Sequence, residues 1–401
     1  MDLMPDRVPV QAPSWIEMNA QSITEVLLGR LGLADTAAAR ARFEVVVHPV
    51  RSTGESFFDA EEELFLERWG ITNEAVHTRI GPVYLAGRHA PDSEAWLAVR
   101  IANRGPFALC SQGTNPFALS YHWMRGAECI HYEGLRSGLQ LALQPGRELT
   151  THLRFHTPAE PGRYTLRIVP LVEGVAWFED QAVEVAVQVG APGSVLPRDE
   201  TQGIQFSEEK DTEQATQFVE RHLRLGPDAV VAEIGGGIRP LFQRCGASRM
   251  ADTVLINCDV SVRLLRVASI LSAQDGTSEQ IIQARLDANV MPFQDGSLDA
   301  VIFCRALHHF QDLYTILAEA HRVLRPGGRL LLLCEPVGHA YDAYTVSLIE
   351  RNVNEQVFPV GVYEAVASQC GFTLDAATLD WGFSFKGSFW KVEDPGQVGS
   401  A

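Results

Sequence analysis

Cysteine is scarce in this 401-residue sequence: there are seven, an odd number, and no two have the spacing of a redox or metal-binding pair. This argues against a disulfide framework or zinc ribbon and is typical of a reducing cytoplasm. Positive charge is also scarce, with 33 Lys and Arg against 50 Asp and Glu and a net charge of −17. Because such a surface repels phosphate backbones, we do not expect nucleic acid as a partner.

Long hydrophobic runs are missing as well. No apolar stretch approaches the roughly 20 residues that cross a bilayer, and the first 13 residues lack the apolar segment of a secretory signal. We therefore expect no integral membrane segment and a cytoplasmic location. Hydrophobic residues still make up 46% of the chain, enough for large cores, and the length predicts two domains. The oligomeric state stays open, with a homo-oligomer among the alternatives.

The hydrophobic pattern divides the chain into four parts. Residues 1–41 are interpreted as a helical segment, because apolar residues recur near the helical period. Residues 42–190 hold short β-rich runs separated by Gly, Pro and Asn turns, which predicts an antiparallel β-sandwich. Residues 191–205 are rich in Gly, Pro and polar residues and are interpreted as a linker. In residues 206–401 apolar strands alternate with helical segments, which predicts an α/β domain with a mostly parallel sheet.

The predicted strands of the N-terminal region are Phe43–His48, Trp96–Asn103, Phe117–Trp123, Glu148–Phe155, Tyr164–Val172 and Ala182–Val189. The alternation in the third of these points Trp123 into the core and His122 outward. Trp177 is also expected in the core. The predicted strands of the C-terminal region are Val230–Ile234, Thr253–Cys258, Ile281–Leu286, Ala300–Cys304, Arg329–Cys334, Phe372–Thr378 and Phe383–Val392.

A glycine-rich turn follows the first of these C-terminal strands. Gly235, Gly236 and Gly237 let the backbone turn sharply and let a ligand approach main-chain atoms. Asp259 ends the next strand, where a carboxylate is placed to accept hydrogen bonds from ribose hydroxyls. These features alone would suit a dinucleotide equally well.

Two downstream motifs distinguish the ligands. Residues 287–299 read DANVMPFQDGSLD, and residues 322–328 read RVLRPGG. With the glycine turn, they resemble the class I S-adenosylmethionine-dependent methyltransferase family over roughly residues 225–335. The resemblance implies a Rossmann-like domain with a mostly parallel seven-stranded sheet, the cofactor S-adenosyl-L-methionine and methyl transfer to an acceptor.

The resemblance also implies which residues hold the cofactor. Glu233 and the loop Gly235–Gly237 would line its methionine part. Asp259 would hold the ribose, and Asp287 with Ala288 beside it would face the adenine.

One position departs from the family pattern. Arg239 stands where the family usually has a further glycine, two residues after Gly237. The alternative to an active enzyme is therefore a non-catalytic binding or scaffold protein that has kept the methyltransferase fold.

Three residues near the ends of the fourth and fifth strands are candidates for catalysis. His308 and His309 follow the fourth strand, and one of them, with His309 preferred, would act as the base for a hydroxyl acceptor. Glu335 ends the fifth strand and would orient the acceptor or the base. A packing, capping or hydrogen-bonding role is the alternative for each. No metal site is predicted, because adjacent histidines point in different directions.

Residues 338–363 are interpreted as an inserted helix and loop, a type of insertion that commonly covers the acceptor in this class. The candidate substrate contacts in it are Tyr341, Tyr344, Asn354 and Glu355.

The N-terminal region carries a second resemblance. The stretches NPFALSYHW at 115–123, PGRYTL at 161–166 and AWF at 176–178 are similar to the glycan-recognition β-sandwich of O-antigen ABC transporter ATPases, over about residues 90–190. The resemblance implies a carbohydrate-binding domain; an assembly or docking module is the alternative. The two resemblances together predict O-methylation of a sugar in a bacterial polysaccharide or its precursor. A small natural product or lipid is the alternative acceptor.

Overall fold

The structure, a computed structural model, describes nine ranges of the chain: 15–16, 76–85, 88–111, 115–139, 142–190, 206–244, 253–277, 281–338 and 356–392. The predicted strand Phe43–His48, the linker at 191–205 and most of the predicted N-terminal helical segment lie outside these ranges.

Two antiparallel sheets make up the N-terminal region. One has the strand order β2-β3-β7, and the other has the order β10-β8-β4-β5, with β6 paired to β4 and β9 paired to β8. The strands are β2 (Thr78–Leu85), β3 (Glu94–Asn103), β4 (Phe117–Arg125), β5 (Glu128–His131), β6 (Ser137–Gly138), β7 (Glu148–His156), β8 (Gly162–Val172), β9 (Ala176–Trp177) and β10 (Val183–Val189). The strands predicted between residues 96 and 189 are confirmed, with ends that differ by at most two residues.

The two sheets share one apolar core, because alternate residues of each strand point to the same side. Tyr121 and Trp123 of β4 lie in the same buried cluster as Leu97 and Val99 of β3. The Trp123 indole N–H donates to the carbonyl of His156 at 2.8 Å. Trp123 is therefore a core residue, as predicted; the assignment of the region to the β-sandwich class stays a prediction.

A single sheet of eight strands organises the C-terminal region, in the order β1-β13-β12-β11-β14-β15-β17-β16. Its strands are β1 (Trp15–Ile16), β11 (Val230–Ile234), β12 (Val254–Asp259), β13 (Ile281–Arg285), β14 (Leu298–Cys304), β15 (Leu324–Pro336), β16 (Phe372–Asp380) and β17 (Ser384–Lys391). β17 runs antiparallel to both neighbours, and the other recorded pairs are parallel. The predicted Rossmann-like sheet of seven mostly parallel strands is confirmed, and β1 is an addition to it.

The predicted helical segment at residues 1–41 is wrong at Trp15 and Ile16. Trp15 and Ile16 form a short strand that runs parallel to Gln283 and Ala284 of β13. β13 would otherwise be an edge strand with open backbone donors and acceptors. Trp and Ile are both favoured in strands, so this pairing overrides the helical spacing.

Helices cover both faces of the C-terminal sheet. Those within the described ranges are α1 (Glu208–His222), α2 (Leu241–Arg244), α3 (Val262–Gln274), α4 (Leu313–Val323) and α5 (Val360–Gln369). None of these helices is long and apolar enough to cross a membrane. The strand order reverses between β11 and β14, and in open α/β sheets ligands bind beyond the carboxyl ends of the strands at such a reversal.

The two regions pack against each other through β2 and β3. Val83 and Ala98 belong to the same apolar cluster as Phe358 and Val362 of the C-terminal region. The approach is close at Gly361, where an added Cβ would lie 2.4 Å from ring atoms of Tyr84.

A buried ion pair ties α1 to the sheet. The Lys386 ammonium, only 1% exposed, donates to Asp211 Oδ1 at 2.7 Å, and Arg305 donates to Oδ2 at 2.8 Å. Burial alone would raise the pKa of Asp211, but hydrogen bonds from Lys386 and Ser384 hold it below its ordinary value. The carboxylate therefore stays charged inside the protein and depends on its cationic partners.

Replacing Lys386 with Met should destabilise the fold, because Asp211 would keep a buried charge and lose the more buried of its two cationic partners. We expect the free energy of unfolding to fall by about 3 kcal/mol, measured by denaturant titration. The control Arg221→Met changes an exposed residue of α1 and should alter the same quantity by less than about 0.5 kcal/mol. Equal stability of the two variants would show that the ion pair does not anchor α1.

Candidate functional site

The loop after β11 is a tight turn that requires glycine. Gly235 and Gly237 have φ values of +71° and +57°, in the left-handed region. Gly236 has no room for a side chain, because an added Cβ would lie 2.2 Å from Oδ1 of Asn257. The N–H groups of Gly235 and Gly236 donate to the carbonyl of Cys258 at 2.8 and 3.2 Å. The loop is therefore held tightly against β12.

Asp259 ends β12 and reaches back to this loop. Its Oδ2 accepts the N–H of Gly237 at 3.1 Å, and its Oδ1 accepts the N–H of Ser261 at 2.9 Å. Burial raises the pKa of Asp259, and the backbone hydrogen bonds oppose that rise. An added Cβ at Gly237 would meet no atom within 4 Å, so the loop is open there. Because a carboxylate has about four acceptor positions, Asp259 has capacity for further hydrogen bonds beside this opening.

Asp287 and Ala288 follow β13, the next strand outward. The N–H of Leu286 donates to the Asp259 carbonyl at 3.1 Å, which joins the two strand ends. Oδ1 of Asp287 accepts the backbone N–H and the side-chain amide of Asn289 at 2.9 and 2.7 Å. Ala288 is buried in the apolar cluster. The structure thus brings Asp259, Asp287 and the glycine loop to one edge of the sheet.

Glu233 lies on β11 and binds the start of the helix that follows the glycine loop. Both of its carboxylate oxygens accept the N–H of Leu241, the first residue of α2, at 2.9 and 2.8 Å. The side chain is buried, with 2% of the residue exposed. This contact caps α2, and a role of Glu233 toward the cofactor stays a prediction.

Glu335 organises the turn that follows β14, which we call the histidine turn (residues 306–309). Its Oε1 accepts the N–H groups of Ala306 and Leu307, both at 3.0 Å, and its Oε2 accepts the N–H of His308 at 3.1 Å. Oε2 also lies 2.7 Å from Nδ1 of His308.

The buried Glu335 carboxylate is stabilised in its charged form. Burial alone would raise the pKa of Glu335, but the charge of His308, its hydrogen bond and the backbone donors hold it below its ordinary value. Glu335 is 0% exposed. Complete burial favours a positioning role for Glu335 over direct contact with an acceptor.

The two histidines differ in their surroundings. His308 is buried and paired with Glu335, whereas His309 is partly exposed. Their ring centroids are 4.0 Å apart, with the ring planes at 47°. His309 is therefore the better placed of the two to reach an acceptor at this edge, and its catalytic role stays a prediction.

The predicted acceptor contacts Tyr341, Tyr344, Asn354 and Glu355 lie outside the described residues. Within the described ranges, no group of three or more His, Cys, Asp or Glu side chains is arranged to hold a metal ion.

Asn257 also lies at this site and is not among the residues predicted from the sequence. Its Nδ2 donates to the Gly237 carbonyl at 3.1 Å and to Oε1 of Gln283 at 2.7 Å. Its Oδ1 is buried beside Gly236, and no described residue donates a hydrogen bond to it. A polar residue inside the otherwise apolar strand β12 was the signal that was available for finding it.

A cluster of three rings lies on the N-terminal region. The centroid of His122 is 4.1 Å from that of Tyr132 and 5.0 Å from that of Trp177, and His122 and Tyr132 are stacked. Tyr132 is 50% exposed and Trp177 is half-buried. The Arg136 guanidinium lies 4.6 Å from the Trp177 centroid, and its Nε donates to Glu173 at 2.6 Å.

Two predictions for these aromatic residues are corrected. Trp177 does not lie in the core, because the two-residue strand β9 pairs with β8 alone and leaves its side chains half-accessible. His122 lies on the face opposite Trp123, as predicted, but it is buried beneath Tyr132 and Trp177.

The residues at this edge belong to a region that is similar to known proteins. A family described as "Methyltransferase domain" matches residues 233–332. The 27-O-demethylrifamycin SV methyltransferase of Amycolatopsis mediterranei is 30% identical over 153 residues, which are 35% of this chain and 56% of that protein. A ubiquinone/menaquinone biosynthesis C-methyltransferase of Hahella chejuensis is 32% identical over 127 residues, 30% of this chain and 51% of that protein. The chain thus spans about half the length of these curated relatives.

Similar solved structures include a phosphoethanolamine N-methyltransferase of Haemonchus contortus in complex with phosphomonomethylethanolamine and S-adenosylhomocysteine. It has 20% identity and a TM-score of 0.37, and the match covers 42% of this chain and 39% of that one. The family match supports the predicted resemblance to methyltransferases over residues 233–332 and, with it, S-adenosyl-L-methionine as the cofactor. The acceptor and the role of the N-terminal domain stay predictions.

Replacing Glu335 with Gln should destabilise the protein at neutral pH, because four donors would lose a charged acceptor. The pKa of Glu335 in the folded protein lies below its ordinary value of 4.5. The stabilisation is therefore fully present above that value and is lost as the pH falls through the folded pKa. Melting temperatures of the variant and the wild type should differ at pH 7 and converge in acid.

Glu364 on α5 is the matched control, because burial raises its pKa. The sign is then reversed: its charge costs stability as the pH rises through the folded pKa, so Glu364→Gln should melt at or above the wild-type temperature at pH 7. A Glu335→Gln variant that behaves like Glu364→Gln would disprove the holding role of Glu335.

Proposed function

We propose that this protein is an S-adenosyl-L-methionine-dependent methyltransferase that methylates a hydroxyl group of a sugar in a bacterial polysaccharide or its precursor. The observation that carries the enzymatic part is the hydrogen bond from Gly237 to Asp259, which joins the glycine loop to a strand-end carboxylate.

The residues at this edge suit an adenosyl ligand. The loop is open beside Gly237, and the buried Oδ1 of Asn257 is an acceptor with no donor among the described residues. The carboxylates of Asp259 and Asp287 lie at the ends of neighbouring strands, where they can accept hydrogen bonds from hydroxyl and amino groups. In this proposal Asp259 binds the ribose and Asp287 binds the adenine amino group.

The chemistry divides between cofactor and protein. When bound, S-adenosyl-L-methionine would supply an electrophilic methyl group on a positively charged sulfur; transfer of that group to the acceptor oxygen would break the S–CH₃ bond and release S-adenosylhomocysteine. The His309 imidazole accepts the proton that the acceptor hydroxyl loses. His308 and Glu335 hold the turn that carries His309, so that the base and the acceptor meet in a fixed geometry.

A surface feature of the N-terminal domain supports a sugar as acceptor. Tyr132 and Trp177 expose aromatic surface beside the charged side chains of Arg136 and Glu173. Apolar faces of sugar rings stack on such aromatic surfaces, and their hydroxyl groups bond to neighbouring charged groups. The relatives that act on rifamycin and quinone precursors favour the second candidate, a small natural product or lipid.

Asp259→Ala should weaken binding of S-adenosylhomocysteine, measured by titration calorimetry. Loss of hydrogen bonds to a charged acceptor corresponds to a decrease of about 10- to 100-fold in affinity. The control Asp275→Ala removes a carboxylate at the end of α3 that accepts a hydrogen bond from Gln243 of α2. This variant should keep wild-type affinity. Undiminished binding by Asp259→Ala would refute the cofactor site as assigned, and wild-type protein that does not bind would favour a scaffold.

With isotopically labelled S-adenosyl-L-methionine, the wild-type protein should methylate oligosaccharides more readily than polyketides, quinones or lipids. Trp177→Ala should lower the rate on oligosaccharides, because their sugar rings would lose a stacking surface. Trp390→Ala is the matched control, since Trp390 also lies beneath an arginine, Arg329, but on β17. Labelling of a non-sugar metabolite with no labelling of any saccharide would reject the sugar assignment in favour of the second candidate.

His309→Gln should lower kcat by about 10²- to 10⁴-fold, because a hydroxyl acceptor would lose its base. Affinity for S-adenosylhomocysteine should be unchanged. The control His77→Gln replaces an exposed histidine of the N-terminal region and should keep the wild-type rate. Full activity of His309→Gln would end the assignment of His309 as the base.

A further inference from the structure

The sheet β2-β3-β7 has a second face, which meets the C-terminal domain. Along β3, Leu97, Val99 and Ile101 point into the N-terminal core, so Ala98 and Arg100 point the other way. β7 is an edge strand of this sheet, and its outer edge meets the C-terminal domain at Thr150.

Two contacts from this face hold the residues directly after the histidine turn. The N–H of Thr150 donates to the carbonyl of Gln311 at 3.0 Å. Nη2 of Arg100 donates to Oδ2 of Asp312 at 3.2 Å, and the guanidinium lies 4.4 Å from the centroid of the Tyr314 ring. Asp312 is the N-cap of α4, and its Oδ1 accepts the N–H of Tyr314 at 3.1 Å. The start of α4 is therefore tied to β3 and β7.

A third contact reaches the turn through the segment that precedes α5. The ring of His152 on β7 stacks on Phe358, with centroids 4.9 Å apart. Gln356 donates its N–H to the carbonyl of His308 at 3.2 Å and its side-chain amide to the carbonyl of Phe310 at 3.3 Å. The histidine turn is thus held by Glu335 on one side and by the N-terminal domain on the other.

The ion pairs of Arg100 contribute more to the orientation of its guanidinium than to the stability of the protein. Its Nη2 is shared between Asp312 and Glu148, which lies 2.6 Å away. The side chains of Arg100 and Glu148 are 32% and 21% exposed, so solvent screens the pairs and their effect on stability is small. Two carboxylates and one aromatic ring nevertheless fix the direction in which the planar guanidinium meets Asp312.

We propose that Arg100 is a positioning residue of the methyltransferase: by holding Asp312, it fixes the direction in which His309 presents its imidazole at the edge of the sheet. The N-terminal domain then completes the geometry of the catalytic turn in addition to any ligand that it binds. The kinetic part of this inference rests on the proposed function, but the structural part does not.

The structural part is tested without an acceptor, on the full chain labelled with ¹⁵N-histidine. The side-chain signals of His309 are identified by their loss in His309→Gln. They should shift in Arg100→Gln and stay in place in Arg125→Gln. Arg125 is a close match for Arg100, because it pairs with Glu160 at 2.7 Å and lies 5.3 Å from the centroid of the Tyr164 ring, on the opposite sheet. Unmoved His309 signals in a folded Arg100→Gln protein would overturn the proposal.

The kinetic part uses the acceptor identified by the labelling panel. Arg100→Gln should lower kcat by about tenfold or more, because a small displacement of a catalytic group is costly. Its affinity for S-adenosylhomocysteine should equal that of Arg125→Gln. Arg100→Lys keeps the charge without the planar fork and should recover only part of the rate; it also replaces Arg100→Gln in the NMR comparison if that variant does not fold.

The outcomes separate the two ideas. Wild-type protein that methylates nothing in the panel counts against the proposed function, and the NMR comparison alone then decides the positioning role. A wild-type kcat in Arg100→Gln, together with an active wild-type enzyme, overturns the positioning role and leaves the proposed function standing.

Discussion

The geometry at the carboxyl edge of the C-terminal sheet depends on one buried carboxylate. Glu335 accepts three backbone N–H groups from three consecutive residues of a single turn and also contacts the imidazole of the third, His308, with no part of its side chain in water. A charge in such a place is tolerated only when its donors surround it. These hydrogen bonds hold together a turn that consists of only a few residues.

Beside this turn, the glycine loop at the same edge of the sheet depends on the absence of a side chain at Gly236. Gly236 leaves just enough space for Asn257, and this close approach lets Asp259 meet the loop at Gly237. The turn and the loop meet where the order of the strands reverses between β11 and β14. The predicted cofactor loop and the candidate base are therefore adjacent because the order of the strands reverses at this point of the sheet.

Short-range patterns in the sequence accounted for most of the strands and for the glycine loop with its two acidic neighbours, because strand periodicity and turn chemistry are local properties. Contacts between residues that are distant in the sequence leave no such local pattern. Glu335 was recognised as a candidate, but its donors became visible only in the folded chain. Trp15 lies in a strand paired with β13 and not in the predicted helix. Trp177 is half-buried and not in the predicted core, because β9 is short and pairs with β8 alone. Arg100 and Asp312, separated by 212 positions, gave no local signal at all.

The bond between Thr150 and Gln311 has a consequence for how such proteins diversify. A β-sheet whose edge donates a hydrogen bond to a neighbouring domain loses that bond when the sheet is exchanged alone. Recombination between related genes at the predicted linker alone would replace the sheet and leave the Gln311 carbonyl without the Thr150 donor. A recombinant protein that keeps these contacts would need the segments around Gln311 and Phe358 together with the sheet. We therefore expect the two regions to have been inherited together.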